Sequence, residues 1–405
     1  MRAHGFKHST AGPVTKALSR RVAGPVAVLA ISVAAAACGS TSASPTTSGS
    51  GAAATATPAS ANLLGAKYDT TTPSSVTLTG AGANSIEPFF ESVFYQYNQK
   101  NSNTTVNYSP AGSSVGVTDI QQGTVQFGDS EIPMTASQLT AATGGAILQI
   151  PVDLGGVAIS YNVPGVTKSL DFDGPTLAGI FDGSITNWDA PAIAALNSGV
   201  TLPNLAIKAV HRADASGPGY DLDQYLIDTA PAWVTAIGTS TPSRTWPEAN
   251  VGIGEQLNTG VASYISQSSS AGAIGFVEYG YALQNGFVNA AVKNSAGSYV
   301  APSEASIAAA GAQATSLSPT DFNVVNETGA SSYPIANFSW TLVYQKQSDT
   351  ATGIALGKLF DWVVTTGQGD AAALGYAPLP ANVATLAHTT ILELESSAGT
   401  PLFAS

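Results

Sequence analysis

The chain has 405 residues, of which 14 are Lys or Arg, 26 are Asp or Glu and one is Cys. The formal net charge of −12 argues against nucleic-acid binding, which needs a basic face to replace the counterions of the phosphate backbone. A single cysteine excludes an intramolecular disulfide and a metal cluster built on several cysteines.

Residues 1–37 have the pattern of a signal peptide. Five basic residues precede residue 22, and an uncharged run, 22–37, follows them. The run contains Pro25 and is shorter than the about 20 apolar residues of a membrane-spanning helix, so it fits a signal hydrophobic region better. Cys38 follows directly, as in bacterial lipoproteins, so we expect cleavage before Cys38 and acylation of that residue. The alternative is an ordinary cleavage site beside an incidental cysteine.

Residues 38–75 are predicted to be a flexible tether. The stretch 40–66 contains no charge and almost no large apolar side chain, so it cannot bury enough surface to order itself. A lipid on Cys38 and a folded domain after the tether would hold the protein outside the cytoplasm, at the outer face of the cell membrane.

From residue 76 onward, short β-rich runs alternate with helical patterns, which predicts sheets with helices on their faces. Strands are expected at 76–79, 104–108, 125–128, 148–151, 156–161, 206–211, 273–278 and 338–345. Helices are expected at 88–99, 114–122, 136–143, 175–181, 190–196, 219–229, 256–267, 303–314, 352–365 and 380–392.

Three Gly/Ser-rich turns lie between a predicted strand and a predicted helix, at 78–85, 109–116 and 211–219. Such turns present free N–H groups at the positive end of a helix dipole, which favours anions. One turn alone is more often a simple N-cap, but three in one α/β chain indicate an oxyanion site. The third turn carries Arg212, one of two arginines after residue 21, with Asp214 placed to orient its guanidinium.

The three turns and further blocks at 127–133, 173–188, 272–279 and 374–380 carry a family resemblance. Over residues 76–395 the chain resembles PstS-type phosphate-binding proteins, the substrate-binding component of the phosphate ABC transporter. The resemblance implies a type II periplasmic-binding-protein fold: two α/β lobes, a two-strand hinge and a ligand cleft between the lobes. Lobe I is expected to comprise 76–152 plus 331–400, and lobe II 156–330.

The resemblance also implies a set of phosphate ligands and partners. The implied ligands are Asn84, Ser85, Ser113, Glu131, Arg212, Ser216 and Gly217, with Asp214 orienting Arg212. The implied partners are inorganic phosphate and the permease and ATPase subunits of the transporter. We expect a monomer without enzymatic activity, cofactor or metal.

Departures from the family pattern affect this site. Glu131 stands where the family has an aspartate that accepts a hydrogen bond from protonated phosphate; fully ionised sulfate has no such proton to offer. Pro218 replaces a threonine and supplies neither its N–H nor its hydroxyl, so we expect one or two fewer donors to the ligand. Asn84 can offer an amide N–H where the family usually has a threonine hydroxyl.

The sequence leaves two alternative functions open. The segment from Gly112 to Gly116 matches the G-x-S-x-G nucleophile elbow, and His388 follows later, in the order of an α/β-hydrolase serine esterase. A lipid-anchored receptor could also sense an anion without feeding a transporter.

Overall fold

The computed structural model describes residues 75–318 and 321–403. The predicted signal peptide, Cys38 and all but the last residue of the predicted tether lie outside these ranges. The described residues all belong to the same unit of the chain. No helix among them is long and apolar enough to cross a membrane.

Strands and helices alternate through the described chain. The strands are β1 (Val76–Gly82), β2 (Thr104–Ser109), β3 (Phe127–Ser130), β4 (Ile147–Asn162), β5 (Asp171–Phe172), β6 (Lys208–Arg212), β7 (Ile253–Glu255), β8 (Ala273–Glu278), β9 (Val288–Asn289), β10 (Ala291–Lys293), β11 (Tyr299–Val300), β12 (Ala336–Tyr344), β13 (Lys346–Gln347) and β14 (Glu395–Ser396). The α-helices are α1 (Glu87–Lys100), α2 (Ser113–Gln122), α3 (Ala136–Thr140), α4 (Gly174–Phe181), α5 (Pro191–Leu196), α6 (Gly217–Thr229), α7 (Pro231–Ile237), α8 (Leu257–Ser266), α9 (Tyr279–Gln284), α10 (Glu304–Gly311), α11 (Thr350–Val364) and α12 (Ala381–Leu392). Short 3-10 helices occupy Ser268–Ser270, Thr366–Asp370 and Ala372–Leu374.

The main sheet has the strand order β2-β1-β3-β12-β4-β8-β6-β7, with β9 also paired to β4. Strand β4 serves both halves, because residues 147–156 pair with β12 and residues 157–162 pair with β8. In one half β1, β2 and β3 are parallel, and in the other β6, β7 and β8 are parallel. This architecture confirms the predicted two-lobe fold class; the exact lobe boundaries stay a prediction.

The two strands predicted at 148–151 and 156–161 are one continuous strand, β4. Pro151 cannot donate to the ladder. The β4–β12 register shifts beside it, because Ser339 pairs with Asp153 and Trp340 pairs with Pro151, which leaves Val152 as an extra residue on β4, and such a bulge tolerates a proline within a sheet. Helices α7 and α9 were not predicted, because they have only seven and six residues and too few turns to show a helical period.

Helix α1 packs an aromatic face into the core of the first half. Phe89, Phe90 and Phe94 are buried, and the Phe90 ring meets the Tyr108 ring edge-on at 5.0 Å between centroids. Tyr95, which belongs to the same aromatic run, is 67% exposed and takes no part in this packing. The buried face therefore fixes α1 against the strands whose carboxyl ends carry the first two turns.

The topology places the three turns at corresponding positions of the two halves. The first follows β1, the second joins β2 to α2, and the third joins β6 to α6. Because ligands in α/β folds bind beyond the carboxyl ends of parallel strands, this edge is where a site is expected.

Candidate functional site

The turns from the two halves meet on a shared buried face. A Cβ added to Gly112 would lie 3.3 Å from Asp214 Oδ2 and 3.8 Å from Leu257 Cδ2. A Cβ added to Gly217 would lie only 1.9 Å from Glu131 Oε2. Glycine at these two positions therefore lets the backbone of one half approach side chains of the other half closely.

Glu131 follows β3 and lies near the centre of this face, with 5% of its surface exposed. Its Oε1 accepts a hydrogen bond from Asn337 Nδ2 at 3.0 Å, and its main-chain N–H donates to Ser113 Oγ at 3.5 Å. Burial raises the pKa of Glu131 to about 7, although the Ser85 hydroxyl and the Arg212 guanidinium act to lower it. The carboxyl group thus changes its protonation state near neutral pH.

Arg212, at the end of β6, is 2% exposed and donates two hydrogen bonds to Asp214. Its Nε donates to Asp214 Oδ1 at 2.8 Å and its Nη2 donates to Asp214 Oδ2. Burial raises the pKa of Asp214, but Arg212 and the Leu257 N–H, 2.9 Å from Asp214 Oδ1, outweigh it and hold that pKa below its usual value. This bidentate pairing fixes the plane of the guanidinium.

The hydroxyls of Ser85 and Ser113 lie on the same face, each residue with 2% exposure. The Ser85 hydroxyl lies near enough to Glu131 to lower the pKa of that carboxyl group, but it makes no hydrogen bond of normal geometry within the described residues. Ser113 opens α2, and its own N–H and that of Ser114 have no partner in the described part of the chain. The first N–H groups of a helix have no partner within that helix, so these donors are free to bind an anion at the positive end of the α2 dipole.

The N-terminus of α6 supplies the remaining predicted residues. Ser216 is the N-cap; its Oγ accepts the Gly219 N–H at 3.1 Å and its N–H donates to Arg244 O at 3.1 Å. Ser216 can therefore offer a ligand only its O–H. The Gly217 N–H has no partner among the described residues, and Pro218 has no N–H to offer. Because the Gly219 N–H is occupied by Ser216, it does not compensate for Pro218.

The side chain of Asn84 bonds to Asn258 and Tyr281 of the other half and to Glu87 of its own half. Its Oδ1 accepts the Asn258 N–H at 2.8 Å. Its Nδ2 lies 2.8 Å from Tyr281 Oη and donates to Glu87 Oε2 at 2.7 Å. These contacts fill the amide, so the structure places Asn84 in a connection between the two halves, while its ligand role stays a prediction.

Sequence reasoning missed a polar cluster behind Glu131. Asn337 of β12 lies 4% exposed between Glu131, Asp221 of α6 and Glu278 at the end of β8. Burial raises the pKa of Asp221 and of Glu278 well above their usual values. The sequence signal for this cluster was limited to acidic residues, Asp221 and Glu278, inside a predicted helix and a predicted strand. Their proximity to Asn337 could not be predicted, because α6, β8 and β12 meet only in the folded chain.

A cavity of about 230 Å³ opens beside this cluster. Its lining includes Glu131, Asp221 and Asn337, together with Tyr220 and Phe338. The lining includes neither Arg212 nor Ser85 and Ser113, so the cavity lies next to the proposed oxyanion donors and is not lined by them. In the described residues no group of three His, Cys, Asp or Glu side chains is arranged to hold a metal ion.

The residues of the hydrolase alternative do not form a catalytic arrangement. Ser114 lies within the first turn of α2 rather than at the tip of a strand-to-helix elbow. His388 lies in α12, and its Nδ1 is 3.9 Å from Asp361 Oδ1. Ser114 and His388 share no hydrogen bond in the described chain, which leaves the serine without the base that acyl transfer requires.

The chain resembles known proteins over most of its length. Residues 40–366 match the model of the PBP superfamily domain. The Phosphate-binding protein PstS of Xylella fastidiosa is 38% identical over 322 residues, covering 78% of this chain and 86% of the relative. The protein of the same name from Pasteurella multocida is 37% identical over 328 residues, covering 80% and 92%.

A solved structure shares the fold. The structure of a high affinity periplasmic phosphate-binding protein (PfluDING) bound with phosphate superposes with a TM-score of 0.62 at 18% identity. The superposition covers 78% of this chain and 93% of that one.

Proposed function

The chain belongs to the PstS-type phosphate-binding proteins of the PBP superfamily, and from that premise we propose that it binds one inorganic phosphate between its lobes and delivers it to an ABC-type importer. The observation that carries the proposal is the convergence of buried oxyanion donors on one buried carboxyl acceptor. Arg212, Ser85, Ser113 and the N–H of Gly217 supply the donors, and Glu131 supplies the acceptor.

This combination suits a partly protonated oxyanion. The donors neutralise the anionic oxygens, while Glu131 accepts the hydrogen of a P–OH group. A fully ionised sulfate presents only acceptors, so its oxygen would face the Glu131 carboxylate without a hydrogen between them. The site therefore favours hydrogen phosphate through one hydrogen bond that sulfate cannot make.

Binding is proposed to close the two lobes around the dehydrated ligand. Strand β4 and the segment leading into β12 connect the halves and serve as the hinge. The closed protein then docks on a membrane permease, whose ATPase partner supplies the energy. In this proposal the chain acts as a monomer and performs no chemistry on the phosphate.

Lipid attachment at Cys38 would keep the protein at the outer face of the membrane. The support is the sequence: Cys38 is the only cysteine and directly follows a signal-like apolar run. The residues after it provide a long polar connection to β1. A sensor without a transporter would use the same site, and transport is preferred because the family resemblance is to a transporter component.

Replacing Arg212 tests the proposed site. Arg212→Ala removes a buried cation, and we expect phosphate affinity to fall about a hundredfold or more, since hydrogen bonds to charged groups contribute about 1.5–3 kcal/mol each. Lys208→Ala is the matched control on the same strand, because Lys208 Nζ bonds to Ser269 O and lies outside the site. Isothermal calorimetry gives both affinities; equal phosphate binding by the two variants would refute the site assignment.

A further inference from the structure

The amide of Asn337 lies at the junction of three buried carboxyl groups. Its Nδ2 is 3.0 Å from Glu131 Oε1, 3.2 Å from Asp221 Oδ2 and 3.2 Å from Glu278 Oε2. An amide nitrogen carries two hydrogens, so three acceptors compete for two donors. The shortest contact goes to Glu131, the acceptor of the proposed phosphate site.

The three carboxyl groups cannot all be ionised together. Their oxygens share one nitrogen neighbour, which places each pair within about 6 Å, and like charges at that range in a buried site raise one another's pKa. Each of the three residues is at most 6% exposed. Protons must therefore be distributed among Glu131, Asp221 and Glu278, and the hydrogen bonds decide which group stays ionised.

The other titratable groups around Glu131 offer little compensation. The groups that interact electrostatically with Glu131 are Tyr108 of β2, Asp129 of β3, Asp153 of β4, Arg212 of β6, Asp221 of α6, Glu278 of β8 and Tyr376. Of these only Arg212 is a cation, and Asp214 already pairs with it. Neutral donors therefore help to favour the ionised form of Glu131, and among them the Ser85 and Ser113 hydroxyls lie on the ligand side, whereas the Asn337 amide is shared with Asp221 and Glu278.

The position of Asn337 is itself fixed by the backbone. Asn337 pairs with Gly155 in the β12–β4 ladder. A Cβ on Gly155 would lie 2.3 Å from Glu278 Oε1 and 2.9 Å from Asn337 Oδ1, so the missing side chain makes room for both groups. The amide bonds Oε1 of Glu131 and leaves Oε2 on the side of Gly217, where the proposed ligand donors lie.

We propose that Asn337 is a positioning residue that keeps Glu131 ionised and aimed at the ligand, and so sets the preference for protonated over fully ionised oxyanions. This inference rests on the proposed function. Asp221 and Glu278 come from the second half, so the competition for the amide arises only where the halves meet. Without Asn337, Glu131 would take up a proton at a higher pH and would present an O–H donor, which can bond an oxygen of sulfate as well as one of phosphate.

The chain provides a matched control for a purely structural role. Asn294 is 5% exposed, and its Nδ2 lies 3.0, 3.3 and 3.0 Å from the main-chain oxygens of Gly329, Ala330 and Ser332. Asn294 touches none of the residues of the proposed site in these contacts. Asn294→Leu therefore removes a comparable buried amide without affecting Glu131.

The test compares wild type, Asn337→Leu, Asn294→Leu, Glu131→Gln and the double variant Glu131→Gln/Asn337→Leu. Calorimetry with inorganic phosphate and with sulfate at pH 6, 7, 8 and 9 gives the affinity ratio of the two anions. We expect Asn337→Leu to lower the phosphate-over-sulfate ratio about tenfold or more at pH 7, as for a lost hydrogen bond to a charged group. The loss of phosphate binding with falling pH should also begin at a higher pH, while Asn294→Leu keeps the wild-type ratio and profile.

The double variant Glu131→Gln/Asn337→Leu distinguishes an effect of Asn337 through Glu131 from a general loss of structure. If Asn337 acts through Glu131, Asn337→Leu should change the ratio less than about twofold in the Glu131→Gln background. An undiminished effect there, or a ratio equal to that of Asn294→Leu, would overturn the inference. Should Asn337→Leu fail to fold by thermal melting, Asn337→Ser takes its place with the same criteria. A wild type that binds no phosphate would instead refute the proposed function.

Discussion

The side chain of Glu131 is subject to two opposing requirements, burial and ionisation. The residue must be buried to exclude water from the ligand, and burial raises its pKa to about 7. In the proposed site, Glu131 must also be ionised to favour the protonated anion, whose hydrogen it accepts. Ser85, Arg212, Ser113 and Asn337 shift the balance back toward the anion, because each favours the charged form of Glu131. The site therefore carries an energetic cost in the empty protein that the ligand offsets.

Removing the charge of Glu131 should stabilise the ligand-free protein in a pH-dependent way. The unfolded residue loses its proton at about pH 4.3, whereas the folded one keeps it up to about pH 7, so wild-type stability falls as pH rises between these values. Glu131→Gln cannot ionise and should raise the free energy of unfolding at pH 8 by on the order of 3 kcal/mol. At pH 4 both proteins are largely neutral at this position and should be equally stable.

Urea unfolding without phosphate at pH 4, 6 and 8 measures this difference. A gain of the same size at pH 4 and pH 8 would mean that the substitution acts through packing rather than through the charge of Glu131. The variant's m-value should match that of wild type, which shows that the two unfolding transitions expose the same surface.

Two helix N-termini, one from each lobe, point toward the proposed site. Helix α2 contributes the N–H groups of Ser113 and Ser114, which have no partner among the described residues. Helix α6 contributes the Gly217 N–H, but its next residue is Pro218. The second helix thus offers fewer donors than the first, although its dipole points at the same place.

Restoring the missing donors of α6 should tighten phosphate binding. Pro218→Ala returns one N–H, and Pro218→Thr returns an N–H and a hydroxyl, so we expect affinity to rise about threefold to tenfold and to be greatest for threonine. Pro231→Ala is the matched control, since Pro231 lies in the first turn of α7, outside the site. Calorimetry gives the affinities; three indistinguishable variants would show that the N-terminus of α6 does not bind the ligand.

Local sequence patterns predicted most of the helices, strands and Gly/Ser-rich turns, because these structures depend on residues that are close together in the sequence. The strand at 273–278 matches β8 in full, and the helix at 88–99 differs from α1 by one residue at each end. The gap left between the strands predicted at 148–151 and 156–161 was wrong, since β4 runs through it with one extra residue, Val152, in its pairing with β12. The long-range partners of Glu131 and of Asn84 escaped prediction because they come from strands and helices distant along the chain.

At the scale of the whole molecule, the residues of the proposed site lie beside hydrogen bonds that connect the two lobes. Asn84 bonds Asn258 and Tyr281, and Asn337 bonds Asp221 and Glu278. The net charge of −12 does not oppose an anion at the proposed site, because that site would act at short range through Arg212, helix dipoles and hydroxyls. Closure and recognition are thus parts of one interlobe network.

The most direct test of the central claim is a calorimetric titration of the wild-type protein with phosphate and then with sulfate at pH 8. We predict one phosphate bound per chain, with sulfate weaker by about 10⁴-fold, as for sites that hydrogen-bond a group the competitor lacks. No heat with phosphate, or equal affinity for both anions, would contradict the account.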